Sequence, residues 1–267
     1  MHPLSSLLLP SIAVGSSCPS DIPLSCHNSS AVDDTCCFIP AGQLLQTQFW
    51  DVNPATGPAD SWTIHGLWPD NCDGSYPASC DSSRGDYDIR SVLGRQSDTL
   101  AYMERYWKDY KGDDDDLWSH EWAKHGTCVS SLDPSCFGSD YRRADEAVAY
   151  FARTVALFRT LPTHEWLAEA DITPSMDQHY EVDDVQDALA ARHGAPVTLR
   201  CRGNALTEVW YHFNVKGSLQ SGRFVASDPD GPKGSCPRSV RYIPKRNWAV
   251  GGGGDGHRSD KSQKRLS

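Results

Sequence analysis

The chain has 267 residues, a formal charge of −10 with neutral histidines, and 39% hydrophobic against 22% charged residues. That length and balance fit a globular protein with a real core and exclude a disordered or fibrous chain and, with no run of roughly 18 to 20 apolar residues, a membrane-spanning helix. The acidic charge excludes high-affinity nucleic-acid binding driven by counterion release, although the ten histidines, fully protonated, would cancel it, so a polyanionic partner is expected to be met more readily at acid pH.

In chain order, Leu4 to Val14 form a short apolar run, broken by Pro10 and ending in small residues, which fits a secretory signal over residues 1–17. The even count of ten cysteines behind it, with no Cys-x-x-Cys pair, predicts disulfides formed in an oxidising compartment rather than a zinc site. Cys18 to Cys37 is poor in apolar periodicity and reads as a stapled loop region, with a glycosylation sequon at Asn28-Ser29-Ser30. A strand is predicted over Gln43–Trp50, ended by Pro/Gly turn chemistry between Asn53 and Asp60. A second strand follows at Trp62–Asp70. Strict alternation would put Trp62, Ile64 and Trp68 on one face and Thr63, His65 and Leu67 on the other. Alone, a strand histidine such as His65 is ordinarily a satisfied structural residue.

A helix is predicted over Asp98–Tyr110, and the acidic run Asp113–Asp116 reads as a solvated turn, because it lacks the ligand spacing of a calcium loop. From Trp118 to Cys128 the sequence WSHEWAKHGTC packs two histidines, a carboxylate and an ammonium into six residues. If helical, it sets His120 beside Lys124 and Glu121 beside His125. Further helices are predicted over Tyr141–Thr160, Thr163–Ala170 and Glu181–His193, the last ended by Gly194; His164, His179 and His193 are expected at the surface. Strands close the fold at Val197–Arg202, Leu206–Val215 and Arg223–Ala226, with Val209, Tyr211, Phe213 and Val215 on one face. Uneven grouping of helices and strands favours an α+β class with an antiparallel sheet in a single, disulfide-stapled domain over residues 18–248. Residues 249–267 read as a flexible Gly-rich basic tail.

The dense stretch invites comparison with zinc proteases, whose motif is His-Glu-x-x-His. Here the second histidine comes one residue later, and five helical residues rotate it about 140° from the first, so a continuous helix would not aim both imidazoles at one metal. No Gly-x-Ser-x-Gly elbow exists for a serine nucleophile either. What remains is an acid/base site.

The segments Trp62-Thr63-Ile64-His65-Gly66-Leu67-Trp68-Pro69-Asp70 and Ser119-His120-Glu121-Trp122-Ala123-Lys124-His125-Gly126-Thr127-Cys128, in this order, resemble the two active-site segments of the ribonuclease T2 family, and most closely its secreted acid fungal branch. The resemblance extends with the cysteine spacing over about Cys18 to Pro244, and it turns the reading of His65 from structural to catalytic. It implies a metal-free, cofactor-free endoribonuclease acting on single-stranded RNA with little base specificity. The ribose 2′-OH attacks the adjacent phosphorus, a 2′,3′-cyclic phosphate forms, and hydrolysis yields 3′-phosphate ends. By the same resemblance His125 is the likelier base of the first step and His65 the acid, the reverse remaining open; His120 holds the phosphate, and Glu121 and Lys124 stabilise the pentacovalent phosphorus. Trp68, Asp70 and Tyr76 are implied for one base and Gln48 for a second, where Leu117 replaces a phenylalanine of some relatives. The implied bridges are Cys18–Cys37, Cys26–Cys72, Cys36–Cys136, Cys80–Cys128 and Cys201–Cys236. A monomer outside the membrane, secreted or held in the vacuolar lumen, completes the expectation. The competing class is a secreted RNA-binding or toxin-like module that keeps the scaffold without cleavage, and intact His65, Glu121, Lys124 and His125 count against it.

Overall fold

Strand β1 (Gln43–Phe49) is buried at every position, which its neighbours explain. It pairs antiparallel with β2 (Thr63–Asp70) on one edge and with β5 (Ala205–Lys216) on the other. Strands β4 (Thr198–Arg202) and β6 (Arg223–Ala226) share the far edge of β5 end to end, giving a five-stranded sheet. The computed structural model describes residues 18–28, 30–231 and 234–245. The expected leader over 1–17 and the tail over 249–267 lie outside the described residues.

The helices are α1 (Ile89–Leu93), α2 (Ser97–Tyr106), α3 (Asp114–Lys124), α4 (Asp145–Phe158), α5 (Thr163–Glu169) and α6 (Val182–His193). The α4 stripe Val148, Phe151, Val155 and Phe158 and the β5 residues Val209, Tyr211, Phe213 and Val215 belong to one buried cluster, in which α4 packs against β1 and β2. Each large side chain in that contact contributes on the order of 1.5 to 3 kcal/mol. The class is α+β, as expected.

Several boundaries differ for local reasons. Helix α2 stops at Tyr106, four residues before the expected Tyr110, because Trp107 turns to φ −120°, ψ 85° and donates its indole N–H to the carbonyl of His65 at 2.9 Å. Helix α4 begins at Asp145 rather than near Tyr141, since Ala144 adopts a left-handed φ of 70°. The acidic run is a helix start and not a free turn. Asp113 caps α3 by accepting from the Asp116 amide, and Asp114 to Asp116 fill the first turn, where the helix dipole favours anions. Helix α1 and the small β3 (Tyr180–Glu181) and β7 (Ser239–Val240) ladder are too short to give a periodic signal. His179 is exposed as expected, but His164 and His193 are half-buried. The Nδ1 of His164 lies 3.1 Å from the Tyr242 hydroxyl, and the Nε2 of His193 lies 3.0 Å from the carbonyl of His212.

All ten cysteines pair as Cys18–Cys37, Cys26–Cys72, Cys36–Cys136, Cys80–Cys128 and Cys201–Cys236. The fourth bridge anchors the segment after α3 to the 79–80 loop, where the Ser79 amide also donates to the carbonyl of Lys124 at 2.8 Å.

Candidate active site

The titratable cluster is built by the middle of β2 and the C-terminal turn of α3. In β2 the register slips: Thr47 opposes Gly66 while Gln48 opposes Ile64, so His65 is the extra residue of a β-bulge. A bulge reverses the inside/outside parity beyond it. Ile64 and Leu67 both enter the core, while His65 and Trp68 meet with ring centroids 4.5 Å apart. Strict alternation had separated His65 from Trp68, and the bulge corrects that reading. The His65 ring is held by stacking on Phe49 at 3.7 Å.

At the other wall, α3 ends at Lys124, and His125 occupies the C-cap with φ −111°, ψ −50°. Its amide still donates to the carbonyl of Glu121 at 3.1 Å, and the ligand-bearing atoms of His120, Glu121 and His125 lie within 4.8 Å of one another. The expected 140° divergence, drawn for ideal helical φ, does not keep the two imidazoles apart. On distance alone the three could approach a cation. A dication there would have to share the turn with the Lys124 ammonium, whose charge already disfavours protonation of both His120 and His125.

Glu121 ties the two walls together. Its Oε2 accepts from the Trp68 indole N–H at 2.8 Å, and its Oε1 lies 3.6 Å from Nε2 of His65. The Trp68 ring in turn stacks on His125, centroids 5.0 Å apart at 19°. This contact orients an imidazole whose buried Nδ1 has no hydrogen-bond partner among the described residues. Two glycines make room. A Cβ on Gly66 would stand 1.9 Å from Oε2 of Glu121, and one on Gly126 would stand 2.4 Å from the Trp122 ring. The glycine after His125 is therefore demanded by packing.

Burial sets the charge states. It pushes His125 down to about 2, assisted by Lys124 and His120, and it holds His120 below the ordinary histidine range, again with help from Lys124. Asp70 is pushed up to about 7 by desolvation. His164, His193 and His212 are also lowered, chiefly by burial. These five histidines therefore take up their protons at lower pH than free imidazoles do.

The two walls enclose a cleft of about 270 Å³ that collects eight of the nine candidate residues: His65, Trp68, Asp70, Tyr76, His120, Glu121, Lys124 and His125. The ninth, Gln48, is fully buried beneath the sheet; its amide donates to the carbonyl of Leu161 and accepts from Thr163, so it does not face the cleft. Leu117 likewise packs in the core. The cleft also contains Gly74, Arg200, Glu208 and Trp210, which sequence reasoning missed. For Glu208 and Trp210 the signal was the second face of β5, where Glu208, Trp210, His212 and Asn214 alternate with the apolar residues.

The chain matches the Ribonuclease T2 family over residues 41–222. It belongs to the ribonuclease T2 family. It is 61% identical over 231 residues to Ribonuclease Trv of Hypocrea rufa, an alignment that covers 86% of this chain and 98% of that protein. It is 55% identical to a Ribonuclease T2-like protein of Aspergillus fumigatus, covering 84% of this chain and 56% of that longer protein. The crystal structure of Actibind, a T2 ribonuclease, superposes with a TM-score of 0.83 at 47% identity, covering 87% of this chain and all of the other. This T2 ribonuclease is an endoribonuclease, and its substrate is RNA. Among the described residues no helix is long and apolar enough to cross a membrane.

Proposed function

We propose that the protein cleaves single-stranded RNA with little base specificity by metal-free transphosphorylation, with His125 as general base and His65 as general acid. The observation that carries this is the contrast between the two imidazoles. A base must be uncharged before it acts, and burial beside Lys124 and His120 keeps His125 neutral even in acid. His65, on the β2 wall, instead sets its Nε2 3.6 Å from Oε1 of Glu121, a contact that orients the ring for the proton donor's part. His125 then takes the 2′-OH proton as that oxygen attacks phosphorus. His65 gives its proton to the departing 5′-oxygen, leaving a 2′,3′-cyclic phosphate; water, activated by the reversed pair, opens it to a 3′-phosphate. Lys124 and His120 offset charge on the phosphoryl oxygens, and Glu121 fixes both His65 and Trp68.

An arriving phosphate brings negative charge beside His120, Lys124 and His125, which raises the His125 pKa toward the working range. The acid limb of kcat is therefore expected at higher pH than the acid limb of kcat/KM, since the first reports the complex and the second the free enzyme. Cleavage of single-stranded RNA followed from pH 3 to 9, with and without EDTA, tests the whole reading. A bell on the acid side of neutral, unchanged by EDTA, is expected. Loss of activity in EDTA would remove the metal-free mechanism, and no cleavage at any pH would favour the non-cleaving binding module.

Trp68, Asp70 and Tyr76 are assigned to the base, with the 62% exposed Tyr76 free to close over it. Because Asp70 is raised to about 7, below that pH it carries a proton and presents one donor and one acceptor, the pair an asparagine offers to an adenine edge. Asp70→Asn is therefore expected to keep near-wild-type kcat/KM at pH 5. Its effect on stability has a definite sign. Between the unfolded value near 3.8 and the folded value near 7 the native state holds a proton that the unfolded chain has released, so wild-type stability falls as pH rises through this window. Asp70→Asn should match wild type below pH 4 and exceed it by up to about 4 kcal/mol above pH 7, measured by urea denaturation. An equal difference at both pH values would contradict the assignment.

Secretion after removal of a leader over residues 1–17, a catalytic unit over 18–248 and a monomeric state belong to the same proposal. Five disulfides support the oxidising compartment, and the exposed Asn28 side chain supports glycosylation there.

A further inference from the structure

We propose that Arg200 and Trp210 form a subsite for the phosphate on the 5′ side of the nucleotide held at Trp68 and Asp70, so that the enzyme grips its substrate beyond the scissile bond. This rests on the catalytic reading above. A relay of rings leads away from the chemistry: His65 meets Trp68 at 4.5 Å, Trp68 meets Trp210 edge-on at 5.3 Å, and the Arg200 guanidinium lies over Trp210 at 5.0 Å. Each component is held in place. Glu208 stands opposite Arg200 in the β4–β5 register and accepts the Trp210 indole N–H at 2.9 Å, fixing the ring on which the guanidinium rests.

The chemistry of the cleft points to phosphate. Lys124 places positive charge on the α3 wall, beside His120; Arg200 places it on the β4–β5 wall, where it rests on Trp210 beyond Trp68. Between the two, Asp70 and Tyr76 offer a base edge and an aromatic face. The order cation, base pocket, cation matches a phosphate, base, phosphate ladder, and a half-buried guanidinium resting on an aromatic platform suits an anion in a chain whose formal charge is −10. The nucleotide whose 2′-OH attacks lies 5′ of the scissile phosphate, so its outer neighbour is its own 5′-phosphate.

The test compares three dinucleotide substrates of one sequence, bearing no terminal phosphate, a 5′-phosphate, or a 3′-phosphate. Wild type is expected to show a higher kcat/KM for the 5′-phosphorylated substrate, and Arg200→Ala to lower the ratio of the 5′-phosphorylated to the plain substrate roughly tenfold. Arg200→Lys should restore part of it, since charge returns without the stacked plane. On single-stranded RNA the log KM of Arg200→Ala should depend less on log salt, its slope smaller by about 0.7 because one phosphate fewer is neutralised. An equal loss on all three substrates, a loss confined to the 3′-phosphorylated one, or an unchanged 5′-phosphate advantage would each overturn the assignment. Failure of wild type on the plain dinucleotide would instead count against the catalytic reading.

Discussion

His125→Ala and His65→Ala are each expected to lower kcat on RNA by about 10²- to 10⁴-fold, the usual worth of one positioned acid or base, with the fold retained in far-UV circular dichroism. The double variant should fall little below either single one, because the two groups act in one concerted transfer and their losses do not add. Distinguishing the roles needs a second substrate. In a nitrophenyl ester of a nucleoside 3′-phosphate the leaving oxygen departs without a proton, so loss of the general acid should be largely masked while loss of the general base should not. His65→Ala is expected to regain most of its rate on that ester, and His125→Ala to remain slow. The opposite pattern would exchange the roles; near-normal rates for either variant on RNA would remove it from the mechanism.

Much of this site was legible in the chain because its chemistry is concentrated. His120, Glu121, Lys124 and His125 fall within six residues, and the double motif with His65 fixes their partner. What could not be read is where regular periodicity breaks. Alternation failed at His65 because a bulge inserts one residue into β2, and the ideal helical period failed at His125, the C-cap of α3, whose φ turns to −111°. Both departures bring side chains together that regular geometry would separate. Gln48, implied for a second base, lies apart from this cleft, and since every position of β1 is buried, burial does not mark which side of that strand faces the cleft. Trp210 and Arg200 were missed because β4 and β5 were read for their apolar faces alone, while the polar face carried the cleft.

Gly66→Ala is expected to disable the enzyme although it removes no titratable group. The new methyl would meet Oε2 of Glu121 at 1.9 Å, its Cδ at 2.8 Å and the Trp68 indole nitrogen at 2.7 Å, all closer than real Cβ contacts allow. Glu121 is buried and β2 is paired with β1 along its length, so the carboxylate must move and its 2.8 Å bond from Trp68 must break. An unsatisfied buried group of this kind costs about 1 to 3 kcal/mol of stability, and a displaced electrostatic stabiliser about 10²- to 10³-fold in kcat. The cause can be isolated in a double-mutant cycle. If the clash with Glu121 is what harms the protein, adding Gly66→Ala to Glu121→Ala should cost far less than it does in wild type, in both melting temperature and kcat. Additive losses would place the harm in the strand backbone, and a Gly66→Ala protein with wild-type rates would show that the close approach of β2 and α3 is not required for turnover.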